Sequence, residues 1–284
     1  MCTNEFKFIN KLLSKAGDDA FVFGKYLIAA DMSVEGTHFR LDWSSPSQAI
    51  EKCLLSNFSD INAMGGEPCA ILFSICINKK WSKKTRDEIA ETTVKICKKH
   101  KVKILGGDTT GGDLGVFSIA VFGKAKGKIL LRNAAKAGDD VWVSGFPGKS
   151  AMGLKLLKRG GKFSKQEQEF VNLHKVPQPP LGLGKKLAKI KGIGACIDTS
   201  DSLAESLLHI SQQSKVRLEI EELKNISLHG GEDYELLFTA RKSARKNIEQ
   251  LAKKITIQKI GEAKKGKGIF LNKKELKLNA WHHF

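Results

Sequence analysis

The chain has 284 residues, 41% of them apolar and 27% charged, with a formal net charge of +18. That is the composition of a soluble globular protein long enough for one large domain or two ordinary ones. No apolar run approaches the roughly 18 residues of a membrane span, so no transmembrane helix is expected. The N-terminal "MCTNEFKFINKLL" carries an early Glu5 and no long apolar core, which does not read as a secretory signal. The six cysteines form no C-x-x-C pair, and reduced core thiols in a cytoplasmic protein explain them better than disulfides or zinc. Most of the positive charge is lysine rather than arginine, clustered in stretches such as "KKWSKKTR" and "AKKGKGIFLNKKELK". A solvated lysine surface accounts for it better than a nucleic-acid site, which favours arginine forks.

In chain order, "FVFGKYLIAAD" (21–31) reads as a pair of strands. Pro46 opens a helix over 46–63. The continuous apolar run "CAILFSICI" (69–77) reads as a buried strand. Residues 83–99 form an amphipathic helix, with Ile89, Thr93, Ile96 and Cys97 on one face. Strands follow at 103–108 and 115–125, then a polar hinge "KGKILLRNAAKAGDD" that marks a domain boundary near residue 130. The second half restarts with the strand 141–146 and then the turn and helix of 147–161, stopped by glycine. "VPQPPLG" (176–182) is a rigid connector. Strands at 216–220 and 234–239, a helix at 242–254, and strands near 255–260 and 268–272 complete the chain. The fold class expected is α+β, as two mixed domains covering 1–130 and 131–284.

Aspartates fall just after apolar strands, among Gly, Ser and Thr. Asp18 and Asp19 lie in "AGDDAFVF", Asp31 in "LIAADMS", Asp60 in "NFSDINAMGG", Asp108 in "ILGGDTTGG", and Asp198 and Asp201 in "CIDTSDSL". Carboxylates gathered at strand ends repel one another unless a cation lies between them. An oxygen-only set suits Mg²⁺, and there is no His/Cys constellation for zinc. Each motif also has a plainer explanation. Gly-Asp-Asp occurs twice, at 17–19 and 138–140, and a turn explains either. "LGGDTTGG" has glycines that let backbone approach an anion, and with Asp-Thr-Thr beside them it favours nucleotide phosphate and metal. "GFPGKSAMG" has the wrong spacing for a P-loop and reads as a turn into a helix. Ser202-Leu203-Ala204-Glu205 has the form of a capping box, so a helix starts there with its phosphate-friendly N-terminus beside Asp201. In "LHGGEDYELLFTA", Glu232, Asp233 and Glu235 crowd a strand entry, where an exposed turn and a ligand contact compete.

The series GDDA, AADMSVEGTHF, NFSDINAMGG, LGGDTT, GFPGKSAMGL, CIDTSDSL and GGEDYEL, closed by "AWHHF", resembles the thiamine-monophosphate kinase family nearly end to end. That family shares a superfamily with aminoimidazole ribonucleotide synthetase and selenophosphate synthetase. The resemblance implies ATP-dependent phosphorylation of thiamine monophosphate to thiamine diphosphate. It also implies a cytoplasmic homodimer whose N-terminal sheets join, with several Mg²⁺ ions, K⁺ as a further candidate cofactor, and neither nucleic acid nor membrane as partner. Carried over by position, it implies Asp19, Asp31, Asp60, Asp108, Asp198 and Asp201 as metal ligands, with Asp18 as the alternative to Asp19. It implies Gly107, Asp108, Arg132 and Ser200 on ATP, and His38, Glu232 and Trp281 on the thiamine phosphate. A dedicated catalytic base is not implied, because the acceptor phosphate is already anionic.

The sequence departs from the family pattern at Ala29 and Ala30, where Ser-Thr is usual before Asp31, at Ser202 for glycine, and at Ala16 for isoleucine. The first departure removes a hydroxyl ligand. Alternatives are another ATP-dependent synthetase of the superfamily, a nucleotide-binding protein without catalysis, and a basic nucleic-acid binder. Selenophosphate synthesis would need a reactive Cys beside a lysine in a glycine loop, and Cys2 has no such setting.

Overall fold

A computed structural model of the protein describes residues 17–221 and 225–276. The first half forms a six-stranded sheet from β1 (Phe21–Phe23), β2 (Tyr26–Val34), β3 (Gly66–Asn78), β4 (Lys103–Gly106), β5 (Thr109–Gly112) and β6 (Val116–Ala125). Its order is β1-β2-β6-β3-β4, with β5 also pairing β3. β2 and β6 pair antiparallel from Tyr26↔Lys124 to Val34↔Val116, while β4 and β5 run parallel to β3. Alternation on β6 buries Phe117, Ile119 and Val121 against two helices, α1 (Pro46–Ala63) and α2 (Lys83–Lys99). α1 begins where the sequence predicts. Ser45 Oγ accepts from the Gln48 amide, the Gln48 side chain returns the bond, and Pro46 stands in the first turn. α2 buries the predicted face of Ile89, Thr93, Ile96 and Cys97.

The chain passes to the second sheet between Ala125 and Asp140. That sheet contains β7 (Asp140–Ser144), β8 (Ile193–Asp198), β9 (Val216–Ile220), β10 (Leu236–Ala240), β11 (Ile257–Lys265), β12 (Gly268–Leu271) and β13 (Lys274–Glu275), in the order β13-β12-β9-β11-β7-β10-β8. β7, β8 and β10 are buried along their whole length. Both faces are covered, as their unbroken apolar runs require. One face packs on α6 (Leu203–Ser214) through Leu203, Leu207 and Ile210. The other packs on α5 (Leu183–Leu187) and α7 (Arg245–Ala252), where Ala63 at the end of α1 also enters. Two further helices lie outside the sheet: α3 (Lys149–Arg159), ended by Gly160 at φ +70°, and α4 (Lys165–Lys175).

The architecture is the α+β arrangement of two mixed units that the sequence predicts. Two local expectations are corrected and three elements are added. β3 is not a fully buried strand, because Leu72 on its outer face is 40% exposed. The glycine-rich 109–112 forms a short strand, held by parallel pairing to Ile75–Asn78. α4 and α5 went unread, since α4 is polar and α5 has only five residues. The helix expected at 242–254 starts as a 3₁₀ turn at Lys242–Ala244.

Candidate active site

The site lies where strand ends and helices of the two sheets meet. Asp19 precedes β1, Asp60 sits in the last turn of α1, and Asp198 ends β8. Each offers a carboxylate oxygen, and these oxygens lie within 4.8 Å of one another. Burial drives all three carboxyls above their ordinary range, and the Arg132 guanidinium opposes the rise, most directly at Asp19. Asp60 is raised further by Asp31, Asp198 and Asp19, and Asp198 by Asp19 and Asp31. Asp31, at the rim of the site, is raised by the protein around it and then by Asp201 and Asp19. Of the six aspartates expected as ligands, Asp19, Asp60 and Asp198 gather at one centre, Asp31 is close enough to raise Asp60 and Asp198, and Asp201 is close enough to raise Asp31. Asp19 rather than Asp18 enters it, since Asp18 Oδ1 instead accepts from the Arg132 amide at 2.7 Å. Ser59 Oγ donates to Asp198 Oδ2 at 2.5 Å, so adjacent residues of α1 serve the same centre.

"CIDTSDSL" and "GGEDYEL" are fastened edge to edge. The β8–β10 register Asp198↔Leu236 continues outward as the Thr199 amide bonds the Glu235 carbonyl at 2.8 Å and the Tyr234 amide bonds the Thr199 carbonyl at 3.1 Å. The Glu232 amide reaches the Ser200 carbonyl at 2.5 Å. A side chain at Gly231 would overlap the Asp201 carbonyl, so only glycine fits that approach. Glu232 and Tyr234 take φ of +64° and +54°, a conformation uncommon outside glycine that the surrounding bonds hold in place. Ser202 caps α6, its Oγ accepting from the Glu205 amide at 3.1 Å, so the residue replacing the family's glycine begins the helix.

The three acids of "GGEDYEL" have separate partners. Glu232 Oε1 pairs with Lys52 Nζ at 2.6 Å, and its Oε2 lies 3.4 Å from His174 Nδ1. Asp233 accepts from the Gly148 and Ser150 amides at 2.7 and 3.0 Å and so caps α3, whose own N-cap glycine has no side chain to do it. Glu235 accepts from Ser144 Oγ, and burial lifts its carboxyl to about 7. Lys52 and His174 carry no distinct motif in the sequence, and Asp233, one of the acids crowding a strand entry there, turns out to cap a helix rather than to meet a ligand. A lysine amid an apolar helix face was the one available signal.

The remaining candidates are placed as follows. Arg132 donates from its guanidinium to Asp19 Oδ1 at 2.6 Å, while its Nε and Asp19 Oδ2 are buried without a partner. Ser200 is exposed beside the cluster. His38 Nδ1 accepts from the Val34 amide at 3.1 Å, in the turn after β2. Gly107 packs against β3, where a Cβ would overlap the Phe73 carbonyl. Asp108 is exposed, its Oδ1 accepting from the Thr109 amide at 2.9 Å, and it stands apart from the grouped carboxylates. Trp281 lies outside the described residues. The second Gly-Asp-Asp is structural: Asp140 holds Arg245 at 2.5 Å and Lys259 at 3.2 Å, and Asp139 accepts from the Lys136 amide at 2.9 Å.

Oxygen-only donors, mutual repulsion and a buried carboxylate oxygen without a partner fit a hard divalent cation such as Mg²⁺. Among the described residues no helix is long and apolar enough to cross a membrane. A family profile described as "AIR synthase related protein, N-terminal domain" matches residues 17–125. The thiamine-monophosphate kinase of Bacillus subtilis is 34% identical over 272 residues, spanning 86% of this chain and 83% of that protein. The chain belongs to the thiamine-monophosphate kinase family. The thiamine-monophosphate kinase of Pyrococcus abyssi is 32% identical over 276 residues, spanning 90% of this chain and 85% of that protein. Among solved structures, AaThiL complexed with AMPPCP and TMP matches with a TM-score of 0.88 at 26% identity, covering 99% of this chain and 96% of that one. The family's thiamine monophosphate kinase from Aquifex aeolicus matches with a TM-score of 0.86 at 26% identity, covering 96% and 98%.

Proposed function

We propose that this protein transfers the γ-phosphoryl group of ATP to thiamine monophosphate, giving thiamine diphosphate and ADP. The new bond joins the γ-phosphorus to an oxygen of the acceptor phosphate, and the bond to the β,γ-bridging oxygen breaks. The observation that carries the reading is the convergence of Asp19, Asp60 and Asp198, with Asp31 and Asp201 beside them, in a chain of this family. The acceptor is anionic at neutral pH, so the task is to hold two polyanions together and to offset their charge. Asp19, Asp60 and Asp198 would hold Mg²⁺, with Asp31 and Asp201 completing the set. When bound, the ion supplies that charge neutralisation. Arg132, tethered to Asp19, stands ready to meet the nucleotide, and Ser200 lies at the entrance of α6.

The other assignments belong to the same reading. Gly107, Asp108, Arg132 and Ser200 are assigned to ATP, and His38, Glu232 and Trp281 to thiamine monophosphate. Asp108 is the expected metal ligand that the cluster does not support. Residues 1–130 would form the nucleotide, metal and dimer half, and 131–284 the second half. A homodimer through the first sheet is favoured by its open face, where Ala30, Ala120 and Leu72 form one cross-strand row beside Met32. Free thiols at Cys53, Cys69, Cys76, Cys97 and Cys196 agree with a cytoplasmic location.

The test is purified protein with ATP, Mg²⁺ and thiamine monophosphate, with and without K⁺, assayed for thiamine diphosphate. Product formation is expected, and its absence across all conditions overturns the proposal. Asp201→Asn should lower turnover by about a hundredfold or more with an unchanged circular dichroism spectrum. Near wild-type turnover would remove Asp201 from the metal set.

A further inference from the structure

α1 is buried along most of its length, and the residues it buries include a lysine. The Lys52 side chain is 8% exposed. Lysine is almost never fully buried without a partner, and a buried ion pair seldom stabilises a fold more than apolar side chains of similar size would. A methionine of like length would pack beside Ala49, Cys53 and Leu54 without the cost of desolvating a charge. The presence of lysine is accounted for by what it grips. Its Nζ meets Glu232 Oε1 at 2.6 Å and the His38 carbonyl oxygen at 3.3 Å. These are two of the three residues assigned to the acceptor substrate, and they come from the turn after β2 and the loop before β10.

The grip is directional. Glu232 is held at φ +64° by its amide bond to Ser200 and by the lack of room at Gly231, so its carboxylate has little freedom to turn away. The other oxygen of Glu232 faces His174, which in turn lies 3.0 Å from Ser150 Oγ. Both contacts use His174 Nδ1, so this is not a relay through the two ring nitrogens. It is a wall that completes the setting of one carboxylate. Lys52 and Asp60 are eight residues apart on α1, about 12 Å along its axis. One rigid helix therefore fixes the distance between the aspartate cluster and the Glu232 site.

We propose that Lys52 is a positioning residue for the acceptor subsite: from α1 it holds the Glu232 carboxylate and the His38 turn in register, at a fixed distance from the aspartate cluster. The proposal rests on the kinase reading above. It assigns Lys52 no contact with ATP or with the reacting atoms. Its loss should therefore weaken the acceptor and spare the nucleotide.

The test is equilibrium binding of thiamine monophosphate and, separately, of AMPPCP to full-length wild type, Lys52→Met and Lys52→Arg in Mg²⁺. Melting temperatures are read alongside. In Lys52→Met the dissociation constant for thiamine monophosphate should rise about tenfold or more, and that for AMPPCP should stay within about twofold. Lys52→Arg, which keeps the cation, should recover most of the loss. If Lys52→Met does not fold, Lys52→Gln keeps a donor without the charge and carries the same expectation. Unchanged acceptor affinity overturns the proposal, as does a parallel loss for both ligands together with a lower melting temperature. Wild-type protein that binds AMPPCP but not thiamine monophosphate overturns the kinase reading and this inference with it.

Discussion

Asp60 and Asp198 carry the cost of gathering carboxylates. Burial and mutual repulsion raise both well above their unfolded values. The folded protein without metal therefore binds more protons than the unfolded chain above the ordinary carboxylate range. The stability of the metal-free form should fall as pH rises from that range through the raised folded values. Added Mg²⁺ should offset the fall at the alkaline end by binding the ionised carboxylates. Asp60→Asn removes one of the repelling charges. It should raise the metal-free melting temperature at pH 7.5 by about 2–4 °C, the equivalent of ~1 kcal/mol, and shrink the gain on adding Mg²⁺. Thermal scans with EDTA or Mg²⁺ at several pH values decide this. A variant no more stable than wild type without metal would argue that the carboxylates are not repelling one another. Much of the cluster was legible in the sequence, because each aspartate follows an apolar strand or sits on a helix among small residues. Lys52 and Arg132 were not legible in the same way. Their partners Glu232 and Asp19 lie far along the chain, and no local pattern records the pairing.

At the scale of elements, "GGEDYEL" shows where sequence reading stops. Three acids in four residues look like one acidic cluster. The structure sends Glu232 across to α1, Asp233 to the N-terminus of α3 and Glu235 to β7. The Asp233 bonds fix a helix start, because α3 begins at a glycine and takes its cap from a loop far along the chain. Asp233→Ala should destabilise the protein by about 1–2 kcal/mol, seen as a lower denaturation midpoint. Asp233→Asn, which retains an acceptor, should lose much less. Equal loss in both would mean that the charge rather than the cap is what counts. The strand and helix starts at Pro46, Val216 and Ser202 were legible because cap, proline and periodicity coincide there. The strand at Thr109–Gly112 was not, since its pairing with β3 rather than its own composition makes it a strand.

At the scale of the whole molecule, the two sheets differ in what covers them. Both faces of the second sheet are packed by helices. Among the described residues the first has helices on one face only, and its other face leaves Met32 55% and Leu72 40% exposed. That open apolar face is where a second copy is expected to pack. The double variant Met32→Glu, Leu72→Glu places charge there without entering the core. Size-exclusion chromatography with light scattering should show wild type as a dimer and the variant as a monomer. A wild-type monomer, or a variant dimer, would place the interface elsewhere or remove it. The passage from one sheet to the other between Ala125 and Asp140 also divides the cluster itself. Asp19, Asp31 and Asp60 come before it, and Asp198 and Asp201 after. A gene cut within that passage would yield two fragments with an incomplete carboxylate cluster each. Recovered turnover would then report their reunion, which makes this enzyme a natural starting point for a split complementation reporter.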